Sequence, residues 1–549
     1  MTRCPPRQTL VLLSQCLAAS DAALSSGDMA KLAHISRGYA KAGMAHLASL
    51  GAARRVPADD PRRPAGRHGL EAHWTRTELT LQPLADSTSA PLPRERGLVS
   101  DDAVCTVFDA LLDGPASVTM LAELTGEKAT IIFKQKDIEL RRIHGIIAEV
   151  SDLLNIEDSH RSFGIHFVPR AHRMALAETQ EVFLSKNVQQ IIEEKLNNSR
   201  IGDGASFRFL GKAYPSREFV VQYKESDLNF VSRLAEHLGI SFFFEHDDDN
   251  DNIIFTNHNN GFKQLEGSFP FRHKGEQRDI YNLDIKYTMI PRVFGVQDYN
   301  YRNPTADLST AAEAQNGYEG GVIEYGTHHK DEFEAEAMAK LRAEEWDARQ
   351  KVYSGQSDMC QLSAGHTFTV EAHSLLGDIP LLITEIVHEV VQSVALQGSG
   401  AEVAYYNQFK AIDAARPYRP PRAAPKPRIF GVINGIVQCD PVNEPEQHAI
   451  LDAQGRYSVR FLFDTATHPQ NPSHPIRMAQ PHAGPNYGHH FPLKPGIEVL
   501  IAFIDGDPDR PIIIGSVPNP VTVSPVKMPN ALLNRIRTTT GILIEMKDI

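Results

Sequence analysis

The stretch REFVVQYKESDLNFVSRLAEHLGISFFFEH, residues 217–246, is the most legible part of this chain. Residues 219–223, FVVQY, are β-branched or aromatic except for Gln222 and read as a strand. Ser226 or Asp227 then offers a side-chain oxygen to the next free amides, so either makes a good helix N-cap. Phe230, Leu234 and Leu238 recur every four residues, one stripe of a helix. Gly239 stands where a helix needs a left-handed residue beyond its C-terminus. Residues 240–245 resume as a strand. The unit is strand, helix, strand, and each boundary has a stated cause.

Working outward, 181–197 contains a helix with Val188, Ile191, Ile192 and Leu196 on one face. Upstream, 129–133 and 142–150 read as strands. Residues 247–252, DDDNDN, resemble a calcium-loop fragment. They lack the glycine at the sixth position and the glutamate at the twelfth, so an acidic hairpin tip is expected. Residues 331–351 form a helix whose Glu and Lys/Arg are placed to pair along exposed faces. Residues 379–390 alternate as a strand. Residues 415–428, with Pro417, Pro420, Pro421, Pro425 and Pro427, read as a stiff extended connector and the clearest domain boundary. Beyond it, Tyr457, Val459, Phe461 and Phe463 alternate with polar neighbours, as do Ile497, Val499, Ile501 and Phe503. Asp505-Gly506-Asp507-Pro508 turns into a return strand at 511–517, which suggests a small β-barrel. The tail brings Ile542, Leu543, Ile544 and Met546 into one apolar strand with no later partner. Such an edge invites pairing with another chain.

Composition narrows the function. At about 150 residues per domain, 549 residues suggest three to four domains. Ten Lys/Arg against four Asp/Glu precede residue 70, yet the whole chain carries a net charge of -12. The body is therefore acidic, which argues against nucleic-acid binding. Five scattered cysteines without a C-x-x-C give neither a disulfide framework nor a structural zinc site. No window is apolar enough for stable membrane anchoring. The run Leu10–Leu13 is broken by Ser14, Gln15 and Cys16, too early for a signal-peptide core. These features fit a protein folded in a reducing cytosol that leaves, if at all, by a route for folded proteins. Residues 8–53 read as a helical hairpin interrupted at Gly27 and Asp28, and 54–69 as a flexible Arg/Pro-rich linker. The basic segment reads as a solvated extension, with docking to an acidic partner as the sharper alternative. No nucleophile elbow, zincin motif, Walker loop or dinucleotide fingerprint is present. His482, His489 and His490 read as loop residues rather than metal ligands, and so does the pair His328-His329. Trp74 and Trp346 read as core. No catalytic residue, cofactor or metal is expected.

Three blocks resemble one family: 217–246, 452–464 (DAQGRYSVRFLFD) and 477–517 (RMAQPHAGPNYGHHFPLKPGIEVLIAFIDGDPDRPIIIGSV). They look like the valine-glycine repeat protein G (VgrG) spikes of type VI secretion, and more distantly the central hub of contractile phage tails. The resemblance covers roughly 100–545. It starts late, because 96–120 picks up the pattern where the family's β-rich opening is replaced by the helical extension. The implied fold is mainly β with some α (α+β): a helical and basic extension over 1–70, hub β-barrel modules with inserted helices over 75–414, the linker 415–428, an OB-fold barrel over 429–520 and the start of a trimeric β-prism over 521–549. The implied function is a homotrimeric puncturing spike without catalysis. It would sit on a hexameric tube protein (Hcp-like), carry a PAAR-type tip protein, engage baseplate components and deliver an effector or adaptor. It would be made in the bacterial cytoplasm and secreted through the apparatus. Ile542, Leu543, Ile544 and Met546 become trimer-interface candidates. A phage or tailocin baseplate hub, or a truncated non-functional copy, is the alternative. A muramidase carried after the barrel needs roughly 150 more residues where 518–549 remain, and is disfavoured.

Overall fold

The computed structural model describes residues 125–547, apart from 136–137, 154–161, 212–213, 248–249, 273–278, 393–402, 440–447, 466–472 and 474, together with four short strands before residue 107. The chain divides into two compact units, Met1–Gly97 and Leu98–Ile549. In the first, Leu24–Ser25 and Ala53–Val56 pair antiparallel with His73–Arg76. The helical hairpin expected over 8–53 is thus interrupted by a strand at Leu24–Ser25, and the linker over 54–69 begins as one; the rest of both segments lies outside the described residues.

The second unit is mainly β. Its first sheet is an antiparallel meander of Ala103–Thr106, Lys128–Gln135, Ile138–Leu153 and Ser162–Val168. A seven-stranded sheet follows, built around His366–His373, Gly377–Gln392, Val403–Asp413, Lys351–Ser357 and Ile280–Tyr287. Its core is Phe269, Ile280, Phe368, Leu381, Ile383 and Phe409. A four-stranded barrel sheet, ordered Val459–Phe461, Val432–Val437, Glu498–Phe503, Pro511–Ser516, closes the unit.

The deciding stretch folds as strand Arg217–Ser226, helix α2 (Asp227–His237) and strand Ser241–Asp247. Of the two candidate caps, Ser226 is the N-cap, its hydroxyl accepting from the Asn229 amide. Asp227 is buried instead. Its Oδ1 accepts from Lys195 Nζ at 3.0 Å and Gln222 Nε2 at 2.8 Å, so the lysine of helix α1 (Val188–Asn198) is tied to α2 through the core. At the other end the Gly239 amide donates to the Glu236 carbonyl and the Ile240 amide to the Ala235 carbonyl, with Gly239 at φ +66°. Those two bonds define a Schellman stop, which only glycine enters without a Cβ penalty.

Strand Arg217–Ser226 pairs antiparallel with Glu178–Lys186, and this two-stranded layer is covered on both faces. Val220 and Phe183 face α1 and α2, in a core with Ile191, Ile192, Phe230 and Leu234. Phe219, Val221, Val182 and Leu184 point the other way, into the barrel core with Val459, Phe461, Val499 and Ile501. The period of two along a strand produces this division. It also explains why the sequence shows an unbroken apolar run rather than alternation. Each fully buried large side chain here contributes about 1.5–3 kcal/mol, and through Phe219 and Val221 this strand enters the same core as the strands that carry Val459 and Ile501.

The remaining helix, α3 (Glu332–Gln350), is capped by Asp331, whose Oδ1 accepts from the Glu334 amide. Its charges are less exposed than expected. Arg342 is buried and reaches across to Glu324 at 2.9 Å, and Glu345 is buried beneath Arg349 and Arg422. Trp346 stacks on Phe294 with ring centroids 5.8 Å apart. The hairpin after 247 forms, but Asp251 is not a solvated tip residue. It is buried, and its carboxylate binds Arg170 Nε at 2.5 Å and the Arg170 amide at 2.6 Å.

The Pro-rich segment 415–428 is extended, yet it is a docked strap rather than a free spacer. An extended proline-rich backbone makes no hydrogen bonds of its own, so its side chains hold it down. Arg416 Nη1 donates to the Asp347 carbonyl at 2.6 Å, Arg419 Nε to Glu344 at 2.7 Å and Arg422 Nη1 to Glu324 at 2.8 Å. Tyr418 packs against the Phe243–Phe262 cluster.

Candidate assembly interface

Two features bear on function: the junction where the strap meets hub and barrel, and the C-terminal ribbon. At the junction the barrel turn 505–510 supplies Asp507, Asp509 and Arg510, the hub supplies Asp298 and His328, and the strap supplies Lys426. Gly506 at φ +68° and Asp505 at φ +55° bend the turn so that both following carboxylates face the hub. Asp298 accepts from Arg510 Nη2 at 2.6 and 2.7 Å and from the His328 amide at 2.6 Å. That bond helps hold His328 at φ +63°, a strained value for a residue with a Cβ. His328 Nε2 donates to Asp507 Oδ2 at 2.6 Å. In that tautomer the ring nitrogen cannot accept from Lys426, whose ammonium binds Asp507 Oδ1 at 2.6 Å and Asp509 Oδ2 at 2.8 Å. Asp509 Oδ1 accepts from the Val221 amide at 2.7 Å, tying the barrel turn to strand Arg217–Ser226.

The electrostatics follow from burial and from these partners. Burial lowers the His328 pKa, and Lys426 beside it adds to the shift. Burial alone would raise Asp507, but His328 and Lys426 outweigh it and hold the carboxyl far below its usual range. Asp509 is lowered as well, burial opposing and Lys426 prevailing. His328, Asp507 and Asp509 bring three potential metal-ligand atoms within 4.8 Å of one another. Lys426 already supplies the compensating cation, so these residues fit an internal ion lock better than a metal centre. Sequence reasoning passed over this cluster, reading His328 as a bland surface pair and 505–508 as a turn only. The available signal was three aspartates in the DGDPDR turn together with a lysine between two prolines of the strap.

At the C-terminus the expectation of an orphan strand is corrected. Leu543–Lys547 pairs antiparallel with Leu533–Arg537. Gly541 at φ +97° makes the turn, where the Thr538 amide donates to the Ile542 carbonyl and Thr538 Oγ1 accepts from the Ile542 amide. The first strand escaped notice because Asn534, Arg535 and Arg537 hide any apolar alternation. Directly opposed residues share a face of such a ribbon. The register sets Ile536 opposite Ile544 and Asn534 opposite Met546 on one face, and Arg535 opposite Glu545 and Arg537 opposite Leu543 on the other. Ile542 continues the first face by the same alternation. Three of the four interface candidates therefore line one stripe with Ile536, while Leu543 lies on the charged side beside the Arg535–Glu545 ion pair at 2.6 Å. Exposure is 40% at Ile536, 68% at Ile542, 56% at Ile544 and 59% at Met546. An isolated two-stranded ribbon is marginal in water, and this one leaves its apolar stripe uncovered.

His482, His489 and His490 are exposed around the short hairpin Ala483–Gly484/Tyr487–Gly488, as loop residues. His490 contacts Gln480 at 3.0 Å. Trp74 lies in the strand His73–Arg76. Among the described residues no helix is long and apolar enough to cross a membrane.

Residues 103–394 match the family described as phage tail baseplate hub (GPD), and 448–517 match the type VI secretion system/phage-baseplate injector OB domain. Among curated proteins, the actin cross-linking toxin VgrG1 of Vibrio cholerae is 26% identical over 435 residues, 77% of this chain and 39% of that protein. The type VI secretion system spike protein VgrG5 of Pseudomonas aeruginosa is 28% identical over 387 residues, 66% of this chain and 48% of that one. The chain thus spans less than half the length of either relative. A solved E. coli type VI secretion component, the c3393 protein, aligns at 23% identity with a TM-score of 0.48 over 71% of this chain and 92% of its own. The hub match covers more than half of the residues and the barrel match follows it in order. The chain belongs to the phage tail baseplate hub family, and the resemblance to the VgrG spikes of type VI secretion holds.

Proposed function

We propose that this chain is the hub and barrel of a homotrimeric puncturing spike of a type VI secretion system, with a mechanical rather than catalytic role. The observation that carries this reading is the one-sided apolar stripe of the C-terminal ribbon in a chain of this family. Three ribbons that turn Ile536, Ile542, Ile544 and Met546 toward a common axis would cover the stripe and leave the Arg535–Glu545 pairs outside. In this reading 75–414 is the hub, 415–428 the strap, 429–520 the barrel and 521–549 the root of a needle, with 1–70 an extension. The hub would cap an Hcp-like hexameric tube and contact the baseplate. The needle would carry a PAAR-type tip and an effector or adaptor, and the apparatus would export the assembly from the cytoplasm.

The test is the mass of the purified chain by light scattering. A value near 183 kDa, three times 60.9 kDa, is expected; a value near 61 kDa at all concentrations would contradict the proposal. Peptidoglycan turbidity should stay constant in its presence, and clearance that survives removal of contaminating lysozyme would show an activity this role lacks. The family description also covers phage baseplate hubs. Copurification with a tube protein from a secretion cluster or from a prophage separates the two owners.

A further inference from the structure

The gap between hub and barrel is not fully closed. Beside the ion lock lies a cavity of about 210 Å³, lined among others by Arg217, Tyr301, Arg302, Lys330 and Arg477. A second cavity of about 320 Å³ shares Arg217, His328, Asp509 and Arg510 with the first as lining residues. The acidic residues that face the first cavity are already engaged. Glu218 pairs with Arg302, Asp298 with Arg510 and Asp509 with Lys426.

Two guanidinium groups facing the same space are not engaged in this way. Among the described residues, neither Arg217 nor Arg477 has a carboxylate partner or a side-chain hydrogen bond. Arg477 stacks on the Tyr301 ring, 3.9 Å from its centroid, which fixes the plane of the guanidinium and leaves its N–H groups free. Tyr301 is held in turn by Arg456 Nη1, which donates to its hydroxyl at 2.7 Å. Burial presses the Arg217 guanidinium below its ordinary pKa, with Asp509 and Glu334 near enough to oppose the shift but not to bond. Lys330 stands exposed at the rim, its Nζ donating, among the described residues, only to the Ser216 carbonyl at 3.3 Å.

A half-buried guanidinium without an anion is unfavourable, because desolvation is offset only by pairing. A planar fork of N–H donors fits carboxylate and phosphate oxygens two at a time. The cavity is also a local surplus of positive charge in a chain of net charge -12. We propose that this hub–barrel cavity is an oxyanion site, in which Arg217 and Arg477 together bind a carboxylate or phosphate group and thereby clamp barrel to hub. Arg217 belongs to the hub and Arg477 to the barrel, so one anion held between them bridges the two bodies without covalent chemistry.

The experiment titrates inorganic phosphate and, separately, malonate into the full assembled chain by calorimetry, with sodium chloride holding ionic strength constant. One saturable site per chain is expected. Affinity should fall about tenfold or more in Arg217→Gln and in Arg477→Gln, as loss of a charge-assisted hydrogen bond entails. Preference for phosphate marks a free tetrahedral anion, and preference for malonate marks a protein carboxylate as the natural occupant. Selenate soaked into wild-type crystals should give an anomalous peak in the cavity, which decides the matter even where both variants misfold. No saturable heat from either anion, unchanged affinity in both folded variants, or a selenate peak only elsewhere would overturn the proposal.

Discussion

The hub–barrel junction and the C-terminal ribbon are both β structure, and they treat their surfaces in opposite ways. At the junction, strand Arg217–Ser226 is covered on both faces, and the turn beyond it locks through Asp298, His328, Lys426, Asp507 and Asp509. In the ribbon, two strands pair with each other and present an apolar stripe to water. One region is finished within a single chain and the other is not. Stability should therefore reside in the first, and self-association in the second.

The sharpest break of the comparison is Asp298→Ala. The carboxylate is 2% exposed and holds both Arg510 and the His328 amide. Removing it leaves Arg510 with only the more distant Asp507 carboxylate at 4.0 Å and a strained residue unsupported. A loss of about 3–5 kcal/mol is expected, as for other broken buried pairs. The measurement is the urea midpoint of the full chain. A shift below 1 kcal/mol would show that the junction is not the stabilising region.

Acid should act on the body in the same direction. His246 is held down to about 4 and His388 to about 3, in both cases first by burial and then by Arg141. On unfolding, both return to about 6.5. Between those values the unfolded chain binds more protons than the folded one. The stability is full above about 6.5 and falls as the pH drops, by about 1.4 kcal/mol per unit for each histidine. Asp507, lowered in the fold, adds a further loss as the pH falls below about 3.8. Urea melts at pH 7, 6 and 5 should show the decline, and His388→Gln should reduce its slope while His246 keeps its share. Equal stability at pH 7 and 5 would contradict the burial of these rings as neutral groups.

How much of this was legible beforehand follows the same division. The strand-helix-strand unit could be read because Ser226, the stripe from Phe230 and Gly239 each act through local chemistry. The barrel strands could be read because Val459, Phe461, Val499 and Ile501 alternate. The lock could not, since Lys426 lies 81 positions before Asp507 and only tertiary folding joins them. Asp251 misled because a buried ion pair with Arg170 looks, in sequence, like a solvated acidic run. The ribbon was half legible. Its second strand is overtly apolar, but the first carries its stripe on Ile536 alone, and the face of Leu543 depends on register.

That register gives a finer test with little expected effect on chain stability. Ile544→Asp puts a charge into the stripe, whereas Leu543→Asp puts one on the face that already carries Arg535 and Glu545. Both sites are exposed, so each should change the urea midpoint by no more than about 0.5 kcal/mol. Only Ile544→Asp should reduce the mass seen by light scattering. Equal loss in both would mean that both faces of the ribbon are covered in the assembly.

The smallest effect belongs to the ion pair itself. Arg535 Nη2 and Glu545 Oε2 lie 2.6 Å apart on opposed, partly exposed residues of the ribbon, and Arg535 Nη1 also donates to the Pro525 carbonyl at 3.0 Å. A surface pair that water still reaches is worth about 1 kcal/mol or less, because water and salt screen it and two long side chains must be ordered. Arg535→Gln should therefore leave both the midpoint and the assembled mass nearly unchanged, with any difference vanishing at high salt. If it instead dissociates the assembly, the charged face is an interface. The stripe of Ile536, Ile542, Ile544 and Met546 would then need a different occupant.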